Sequence, residues 1–183
     1  MNKNEEYPWD ELFEIARKAI ITYLEKREYL KIENDSPKKA TFVTLEINGM
    51  LRGCIGSIFP MRSLKQDVAI NAVNAAFFDP RFVPISKEEL KYLDITISIL
   101  SDLKEFNGSN EEWLDFLREN KPGVYISSNR ASATFLPEVW KEIKDADLFM
   151  KYLSLKAGVG ENEWKNMKKY YYFVDAQKRK FYE

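Results

Sequence analysis

Residues 41–58 read TFVTLEINGMLRGCIGSI, and this stretch predicts the feature around which the fold is built, a β-hairpin. Its two apolar-rich halves, 41–47 and 50–58, are separated by Asn48-Gly49. Asn and Gly both accept the positive φ of a two-residue type I′ turn, so this pair indicates a tight hairpin. Large apolar side chains alternate onto both faces, so we expect the hairpin to be covered on both sides over part of its length.

An uninterrupted register from that turn places Val43 opposite Cys54 and Leu45 opposite Arg52. It also divides the side chains between two faces. One face is predicted to carry Thr41, Val43, Leu45, Ile47, Met50, Arg52 and Cys54, and the other Phe42, Thr44, Glu46, Leu51, Gly53 and Ile55. Arg52 and Cys54 are thus expected on the same face, with Cα atoms about 6.5–7 Å apart.

The composition is that of a water-exposed globular chain. Its 183 residues suit one large domain or two small lobes, with 45% apolar and 31% charged residues. A net charge of −1 argues against a protein that works mainly by coating nucleic acid, because that binding needs surplus cations at phosphates. The polar N-terminal segment MNKNEEYPWDE predicts no secretory signal, and no window approaches the roughly 20 apolar residues of a membrane helix.

The chain contains no histidine and a single cysteine, Cys54. This excludes Ser-His and Cys-His dyads, histidine general bases, and zinc sites built on histidines or cysteine clusters. Any metal would have to be a hard ion on carboxylates, and we assign no metal site and no cofactor. P-loop and dinucleotide-binding glycine motifs are absent. A lone cysteine forms no internal disulfide, which favours a reducing, cytoplasmic location.

The rest of the chain predicts helices and strands joined mainly by hairpin-type connections. Helices are predicted at 10–27, 64–77, 87–92, 107–120 and 145–158. Asp10 is the predicted N-cap of the first, and Ser63 and Ser86 open capping boxes before the second and third. Gly158 is the residue that ends the last helix. Further strands are predicted at 93–101, 123–129 and 168–177. This arrangement favours an α+β fold over a parallel doubly wound sheet.

Cys54 is the first candidate site residue. The guanidinium of Arg52 would favour the thiolate form and lower the pKa of the thiol. The flanking Gly53 and Gly56 would let a ligand or another backbone approach closely. The alternative is a small packing residue, since free cysteine is among the most buried residue types.

Two further motifs contain charged candidates. In DPRF (79–82), Asp79 can cap the turn and Arg81 can face an anion. The alternative is a turn that stops the helix, with an arginine that pairs with a local acid. In ATFLPEVW (133–140), Pro137 opens a helix whose first turn contains Glu138, where the macrodipole alone explains the carboxylate.

The C-terminal stretches KNMKKYYYF (165–173) and QKRKF (177–181) mix cations with aromatic residues. Single-strand nucleic-acid binders show the same mixture. The alternative is an alternating strand with solvated lysines, and the near-zero net charge argues for that alternative and against a nucleic-acid partner.

Several motifs together resemble the AMMECR family, in the family's order and over almost the whole chain. They are LRGCIGS (51–57), DPRF-x-P (79–84), EEL (88–90), TISILS (96–101), GVYIS (123–127), ATFLPEVW (133–140) and LKAGV (155–159). The resemblance implies one α+β domain, 1–183, made of a larger and a smaller lobe. It also implies an intracellular protein whose activity is not established, with the LRGCIG segment at or near a cleft that binds a ligand or catalyses a reaction.

Carried over by position, the resemblance singles out the segment 51–56 together with Asp79, Arg81 and Glu138. It implies Memo-like and radical SAM proteins as partners, because relatives are fused to them or encoded beside them in many prokaryotes. Ser154 stands where relatives often have a second cysteine, which argues against two-cysteine chemistry in this chain.

Three functions follow from the sequence, and it does not decide whether the protein is an enzyme. The first is a ligand-binding or enzymatic cleft for a small anionic ligand, with Cys54 as candidate catalytic residue and Arg52, Gly53, Gly56, Asp79, Arg81 and Glu138 as candidate binding residues. The second is a non-enzymatic protein-interaction module in which the LRGCIG strand is structural. The third is a nucleic-acid-binding protein. The residues favour the first for the location of the site.

Overall fold

The computed structural model describes residues 6–182 as helices interleaved with antiparallel strands, which confirms the α+β class. The helices are α1 (Trp9–Lys26), α2 (Leu64–Phe77), α3 (Asn110–Asn120) and α4 (Ala146–Lys156). The strands are β1 (Thr41–Ile47), β2 (Met50–Gly56), β3 (Leu93–Leu100), β4 (Lys104–Glu105), β5 (Gly123–Ser127), β6 (Ser132–Phe135), β7 (Lys168–Tyr172) and β8 (Val174–Lys180). Short 3₁₀ turns lie at Lys87–Tyr92, Pro137–Lys141 and Glu163–Asn166.

The described residues divide into two compact units, each built on one four-stranded sheet. Unit 1 comprises the described residues up to Leu100 and from Asp175 onward, and its strand order is β2-β1-β3-β8. Unit 2 comprises Ser101–Val174, with the order β4-β7-β5-β6. β2 and β6 are therefore edge strands of their sheets.

The hairpin turn forms as the sequence predicts. Asn48 has a φ of 52° and Gly49 a φ of 76°, and Ile47 pairs with Met50. Positive φ at both central residues is what a type I′ turn requires.

Beyond the turn, the predicted register is wrong. Glu46 pairs with Leu51, but Leu45 pairs with Gly53, so Arg52 is the extra residue of a β-bulge. A one-residue shift moves every later side chain of the strand to the other face.

The bulge exchanges the two faces of β2. Cys54 lies opposite Thr44 instead of Val43, and Gly53 shares the face of Leu45. Val43 and Leu45 are fully buried beneath the helices, so Gly53 faces the helices and Cys54 lies on the opposite face of the sheet.

Helix α2 packs closely on the sheet because its inward residues are small. Ala72, Ala75 and Ala76 are buried in the unit 1 core with residues of α1 and of the central strands. A Cβ atom at Gly53 would overlap the carbonyl oxygen of Ala75, so this strand position tolerates only glycine at the observed separation.

Other local predictions have mixed outcomes. Helix α1 begins at Trp9 after Pro8, not behind Asp10, and the buried hydroxyl of Ser63 makes no capping bond to α2. The capping box of Ser86 with Glu89 is confirmed, and Gly158 follows α4 with a φ of 78° as predicted. The predicted strand 168–177 is two strands, β7 and β8, separated at Phe173.

Unit 2 has its own core, in which α3 and α4 cover one face of the sheet. Trp113, Phe149 and Trp164 are fully buried there with Val124 and Ile126 of β5. None of the helices within residues 6–182 combines the length and apolar character needed to cross a bilayer.

Candidate functional site

The loop that follows α2 lies beside the edge strand β2. Pro80 and Pro84 cannot continue the helix, and the loop closes through bonds from Phe82 N–H to the Asp79 carbonyl and from Ile85 N–H to the Ala76 carbonyl. This return of the chain brings the side chains of Asp79 and Arg81 to Cys54, 25 and 27 residues earlier.

Asp79 and Arg81 together bind the backbone of Cys54. The Asp79 carboxylate accepts the Cys54 N–H at 2.9 Å, and Arg81 Nη2 donates to the Cys54 carbonyl oxygen at 3.3 Å. A neighbouring strand would satisfy the same two groups, so the ion pair takes the place of the missing strand at this edge. We call these three residues the edge clamp.

The ion pair of the edge clamp is strong and largely buried on its acidic side. Arg81 binds Asp79 through Nε at 2.9 Å and Nη2 at 2.7 Å, and Asp79 is 4% exposed. The hydrogen bond from Arg81 lowers the pKa of Asp79 from 3.8 to about 2, helped by the amides of Cys54 and Arg81 and opposed by burial.

Arg81 is the cation that interacts electrostatically with Cys54. Its hydrogen bond to Asp79 raises the pKa of the guanidinium, and the charge of Cys54 adds to the same effect. The Arg81 side chain is 54% exposed, so part of its guanidinium is open to solvent.

Arg52, which the sequence predicts as that cation, is bound elsewhere. Its Nε and Nη2 donate to the Glu89 carboxylate at 2.7 and 3.2 Å, and Nη1 donates to the Val83 carbonyl at 2.9 Å. The hydrogen bond from Arg52 is the main cause of the lowered pKa of Glu89. The ring of Phe82 lies 5.9 Å from the guanidinium carbon of Arg52 and 5.5 Å from that of Arg81.

The Cys54 thiol is half-buried on a polar face of the unit 1 sheet. Its sulfur accepts a hydrogen bond from the Thr44 hydroxyl at 3.2 Å. Thr96 of β3 pairs with Thr44 and therefore lies on the same face. A hydroxyl that donates to the sulfur favours the thiolate, whether the thiolate serves as a hydrogen-bond acceptor or as a nucleophile.

Gly53 and Gly56 have packing reasons for being glycine. The overlap at Gly53 with Ala75 is described above, and a Cβ atom at Gly56 would overlap the ring of Phe42. Close approach by the protein's own helix and side chain accounts for both positions.

Glu138 lies in unit 2, whereas the other six candidate residues lie in unit 1. It is exposed on the 3₁₀ turn that Pro137 opens. Burial raises the pKa of Tyr172, and the charge of Glu138 adds to that effect. The Tyr172 hydroxyl lies 2.7 Å from that of Thr134.

A buried polar cluster in unit 1 was missed by the sequence interpretation. Fully buried Asp67 of α2 accepts hydrogen bonds from the N–H and hydroxyl of Thr41, from Ser57, from Asn71 and from Arg62. These bonds join α2 to the start of β1 and to the residue after β2. The available signal was a pair of polar residues, Asp67 and Asn71, beside an apolar helical face. Five donors compensate the buried charge, which indicates a structural role.

Ser154 also has a structural role. It is fully buried in unit 2, and its hydroxyl accepts a hydrogen bond from the Trp164 N–H at 3.0 Å. Because the Ser154 side chain is buried and makes this hydrogen bond, position 154 serves packing in this chain.

The aromatic residues of the C-terminal segment are engaged within the protein. Tyr172 is fully buried, the Tyr171 ring lies 4.7 Å from that of Phe116, and the Tyr170 ring lies 5.8 Å from that of Tyr125. Stacking of bases on this strand would have to replace these contacts.

A groove of about 410 Å³ lies elsewhere in unit 1, lined by Tyr29, Leu30, Ile32, Gln66, Ala69 and Ile70. It shares no residue with the edge clamp. Within residues 6–182, no group of three or more Cys, Asp or Glu side chains is placed to hold a metal ion.

The chain is similar to known proteins in sequence and in fold. Residues 13–177 match the model of the AMMECR1 family, and the chain belongs to this family. A protein of Nanoarchaeum equitans is 33% identical over 174 residues, which cover 91% of this chain and 96% of that protein. A protein of Methanosarcina acetivorans is 35% identical over 127 residues, which cover 69% of this chain and 64% of that protein, slightly less than two thirds of its length.

Among solved structures, the crystal structure of the uncharacterised protein PH0010 from Pyrococcus horikoshii is similar, with a TM-score of 0.85 and 27% sequence identity. The match covers 92% of this chain and 90% of that chain. None of these three relatives has a name that states an activity. The comparisons therefore establish the family and the fold.

Proposed function

We propose that the protein is a binding protein in which the Cys54 thiol contacts a small anionic ligand and Arg81 supplies the positive charge. The edge clamp is the observation that carries the proposal. It fixes the Cys54 backbone through both its N–H and its carbonyl. The thiol is half-buried, and the half-exposed guanidinium that binds the carbonyl of the same residue interacts electrostatically with it. A cation held next to a positioned sulfur favours a ligand with a carboxylate or phosphate group.

The surrounding chemistry supports binding on the polar face of the sheet. Thr44 donates to the sulfur, and Thr96 lies beside it. Arg52 contributes indirectly, because it binds the Val83 carbonyl in the loop that contains Arg81 and is itself held by Glu89. The single two-lobed domain and the cytoplasmic location implied by the resemblance belong to the same proposal.

Alkylation of the single cysteine tests the proposal. Iodoacetate is anionic and iodoacetamide is neutral, and both react with the same thiolate. The ratio of their rates therefore cancels the thiolate fraction and reports the charge that a probe meets near Cys54. We expect Arg81→Ala to lower the ratio of the iodoacetate rate to the iodoacetamide rate about fivefold, because a nearby charge in partly solvated surroundings is worth on the order of 1 kcal/mol.

Two variants serve as controls for this measurement. Lys18→Ala removes an exposed cation of α1 that pairs with Glu14, so it should leave the ratio near that of the wild type. Arg81→Lys keeps a positive charge and should preserve most of the ratio. An Arg81→Ala ratio equal to that of the wild type, in a variant with a folded circular dichroism spectrum, would overturn the proposal. Absence of labelling by either reagent before denaturation would do the same.

A protein-interaction module is the second candidate, and exposed apolar residues around β2 favour it. Met50 of β2 is 70% exposed, and Val83, whose carbonyl binds Arg52, is 76% exposed. The Memo-like and radical SAM proteins implied by the resemblance are the proposed partners. Binding of purified partners to immobilised protein should be weakened by Val83→Glu and unchanged by Cys54→Ala. The reverse pattern would favour the ligand site.

A further inference from the structure

The groove of unit 1 lies between helix α2 and the segment that follows α1, and we call it the α2 groove. Its volume of about 410 Å³ falls within the range of small-molecule sites, about 300–1,000 Å³. None of the described residues that line it belongs to the edge clamp. An inference about the α2 groove is therefore independent of the function proposed for Cys54.

One wall of the α2 groove is a patch on the surface of α2. Gln66, Ala69 and Ile70 are spaced i, i+3 and i+4, so they are neighbours on one side of the helix. Ala69 is buried, and the side chains of Gln66 and Ile70 are half-buried. Because the methyl group of Ala69 is much shorter than its two neighbours, it leaves a depression between them.

The opposite wall is the segment 28–33, which has no regular secondary structure. Exposure alternates along it, since Leu30 and Ile32 are half-buried and pack against the core of unit 1, whereas Lys31 and Glu33 are exposed. The apolar side chains of this segment line the groove, and the two charged side chains are not among the lining residues.

A hydrogen bond between the two walls closes each end of the α2 groove. At one end, Gln66 Nε2 donates to the Ile32 carbonyl at 3.2 Å, and at the other the Tyr29 hydroxyl donates to Asn74 Oδ1 at 3.1 Å. Gln66 and Asn74 are eight residues apart on α2, which corresponds to about 12 Å along the helix. The closed ends favour a compact molecule over a chain that runs through the groove.

The polar atoms at the two ends are neutral and retain accepting capacity. Gln66 uses its amide nitrogen for Ile32, so its side-chain oxygen remains an acceptor. The Tyr29 oxygen donates its proton to Asn74 and still has lone pairs. Burial raises the pKa of the Tyr29 hydroxyl, which keeps it protonated at neutral pH. Both acceptors suit an N–H or O–H group on the ligand.

We propose that the α2 groove binds a neutral, mostly apolar small molecule, up to about 12 Å long, that carries a hydrogen-bond donor. The described residues that line the groove include no charged side chain, so a charge buried there would not be compensated. Covering Ile70 and the opposite wall would remove apolar surface from water, which favours binding. The groove and the Cys54 site would thus select ligands of opposite character, neutral in one and anionic in the other.

Two fluorescent probes that differ in a single group test the proposal. N-phenylnaphthylamine is neutral, apolar and has one N–H group, and anilinonaphthalenesulfonate is the same framework with an added sulfonate. Fluorescence titration of the wild-type protein should show saturable binding of one N-phenylnaphthylamine per chain. The sulfonate should bind at least about tenfold more weakly, because its charge lacks a partner in the groove. Equal or tighter binding of the sulfonate would overturn the proposal, as would a neutral probe that shows no saturable binding.

Substitutions at Ile70 show whether the probe occupies the α2 groove. Ile70→Glu places a charge in the groove and should raise the dissociation constant of N-phenylnaphthylamine at least about tenfold. Ile70→Phe fills part of the groove without a charge and should also weaken binding, which keeps the test valid if the glutamate variant does not fold. Leu155→Glu, at a leucine of α4 that is 48% exposed, is the matched control and should bind the probe like the wild type.

Unchanged probe affinity in a folded Ile70 variant would place the probe elsewhere and overturn the assignment. Sedimentation equilibrium of the wild type and Ile70→Glu distinguishes the other possible occupant, a second copy of the chain. A wild type that associates through Ile70 and binds no probe would show that the groove is a protein contact, which would also overturn the proposal.

Discussion

The edge strands β2 and β6 are protected in different ways. In unit 1, the edge of β2 at Cys54 is closed by a buried carboxylate and its arginine, which bind the N–H and the carbonyl of one residue. In unit 2, β6 is only four residues long, and the carbonyl of Thr134 accepts one hydrogen bond from the exposed side chain of Lys156, at 2.9 Å.

The difference shows where the fold constrains backbone geometry. A short edge strand with a lysine nearby is a common and inexpensive way to limit unwanted strand pairing. An ion pair with a buried carboxylate is different, since desolvation of the carboxylate costs energy that only good geometry offsets. β2 is therefore held in one position relative to its loop and helix, whereas β6 is protected without such constraint. Substitutions at the β2 edge should have large effects, and those at the β6 edge small ones.

The largest effect is expected from Gly53→Ala. The added methyl group would overlap the backbone carbonyl of Ala75, so α2 or β2 must shift, with a loss of about 3 kcal/mol in the free energy of unfolding. Gly160→Ala is the matched control, because the nearest atom to its Cβ would be 3.6 Å away in the flexible side chain of Glu163. Urea denaturation of both variants measures the difference. Equal stabilities would show that the contact between α2 and β2 is not tight.

The same contact shows how far the sequence could predict this strand. Asn48-Gly49 predicts the turn because its dihedral requirement is local. The register beyond it could not be obtained from alternation alone, since alternation assumes unbroken pairing and the bulge at Arg52 breaks it. A signal was present in Gly53, because a glycine inside a strand often marks a bulge or a close backbone approach. In this strand, Gly53 directly follows the bulge and also lies in close contact with the backbone of α2.

The charged residues were only partly predictable for a related reason. The pairing of Arg81 with Asp79 is local, and the interpretation of a turn whose arginine pairs with a local acid anticipated it. The binding of both residues to Cys54 depends on the tertiary fold, which no short-range pattern encodes. Glu89 was explained by its capping box, but one carboxylate accepts several bonds, and it also binds Arg52.

Asp79→Asn is expected to have the second largest effect. Asparagine keeps the size of the side chain and can still accept the Cys54 N–H, but it loses the charge that binds Arg81. From a pKa of about 2, the ionised carboxylate contributes about 2 kcal/mol at neutral pH. Glu14→Gln, which breaks the exposed pair of Glu14 with Lys18 on α1, is the control and should leave the denaturation midpoint unchanged. Similar denaturation midpoints for Asp79→Asn and Glu14→Gln would show that the ion pair at the β2 edge stabilises the fold no more than an exposed pair does.

The pH dependence sharpens the same test. Because folding lowers the pKa of Asp79 from 3.8 to about 2, its stabilisation is fully present above the higher value and is lost as the pH falls through the lower one. The stability difference between the wild type and Asp79→Asn should therefore shrink towards zero between about pH 4 and pH 2. The lowered pKa of Glu89 acts in the same direction in both proteins and cancels in the difference. A difference that stays constant down to pH 2 would assign the effect of the substitution to packing.

The smallest effect is expected at the β6 edge, from Lys156→Met. Methionine keeps most of the aliphatic length that lies over the Phe135 ring and removes the bond to the Thr134 carbonyl. A single exposed hydrogen bond contributes about 0.5 kcal/mol, because water replaces the lost donor. Urea denaturation of Lys156→Met and of the wild type measures the difference. A loss of unfolding free energy as large as that of Asp79→Asn would mean that β6 is held as firmly as β2. The two edge strands would then differ only in length.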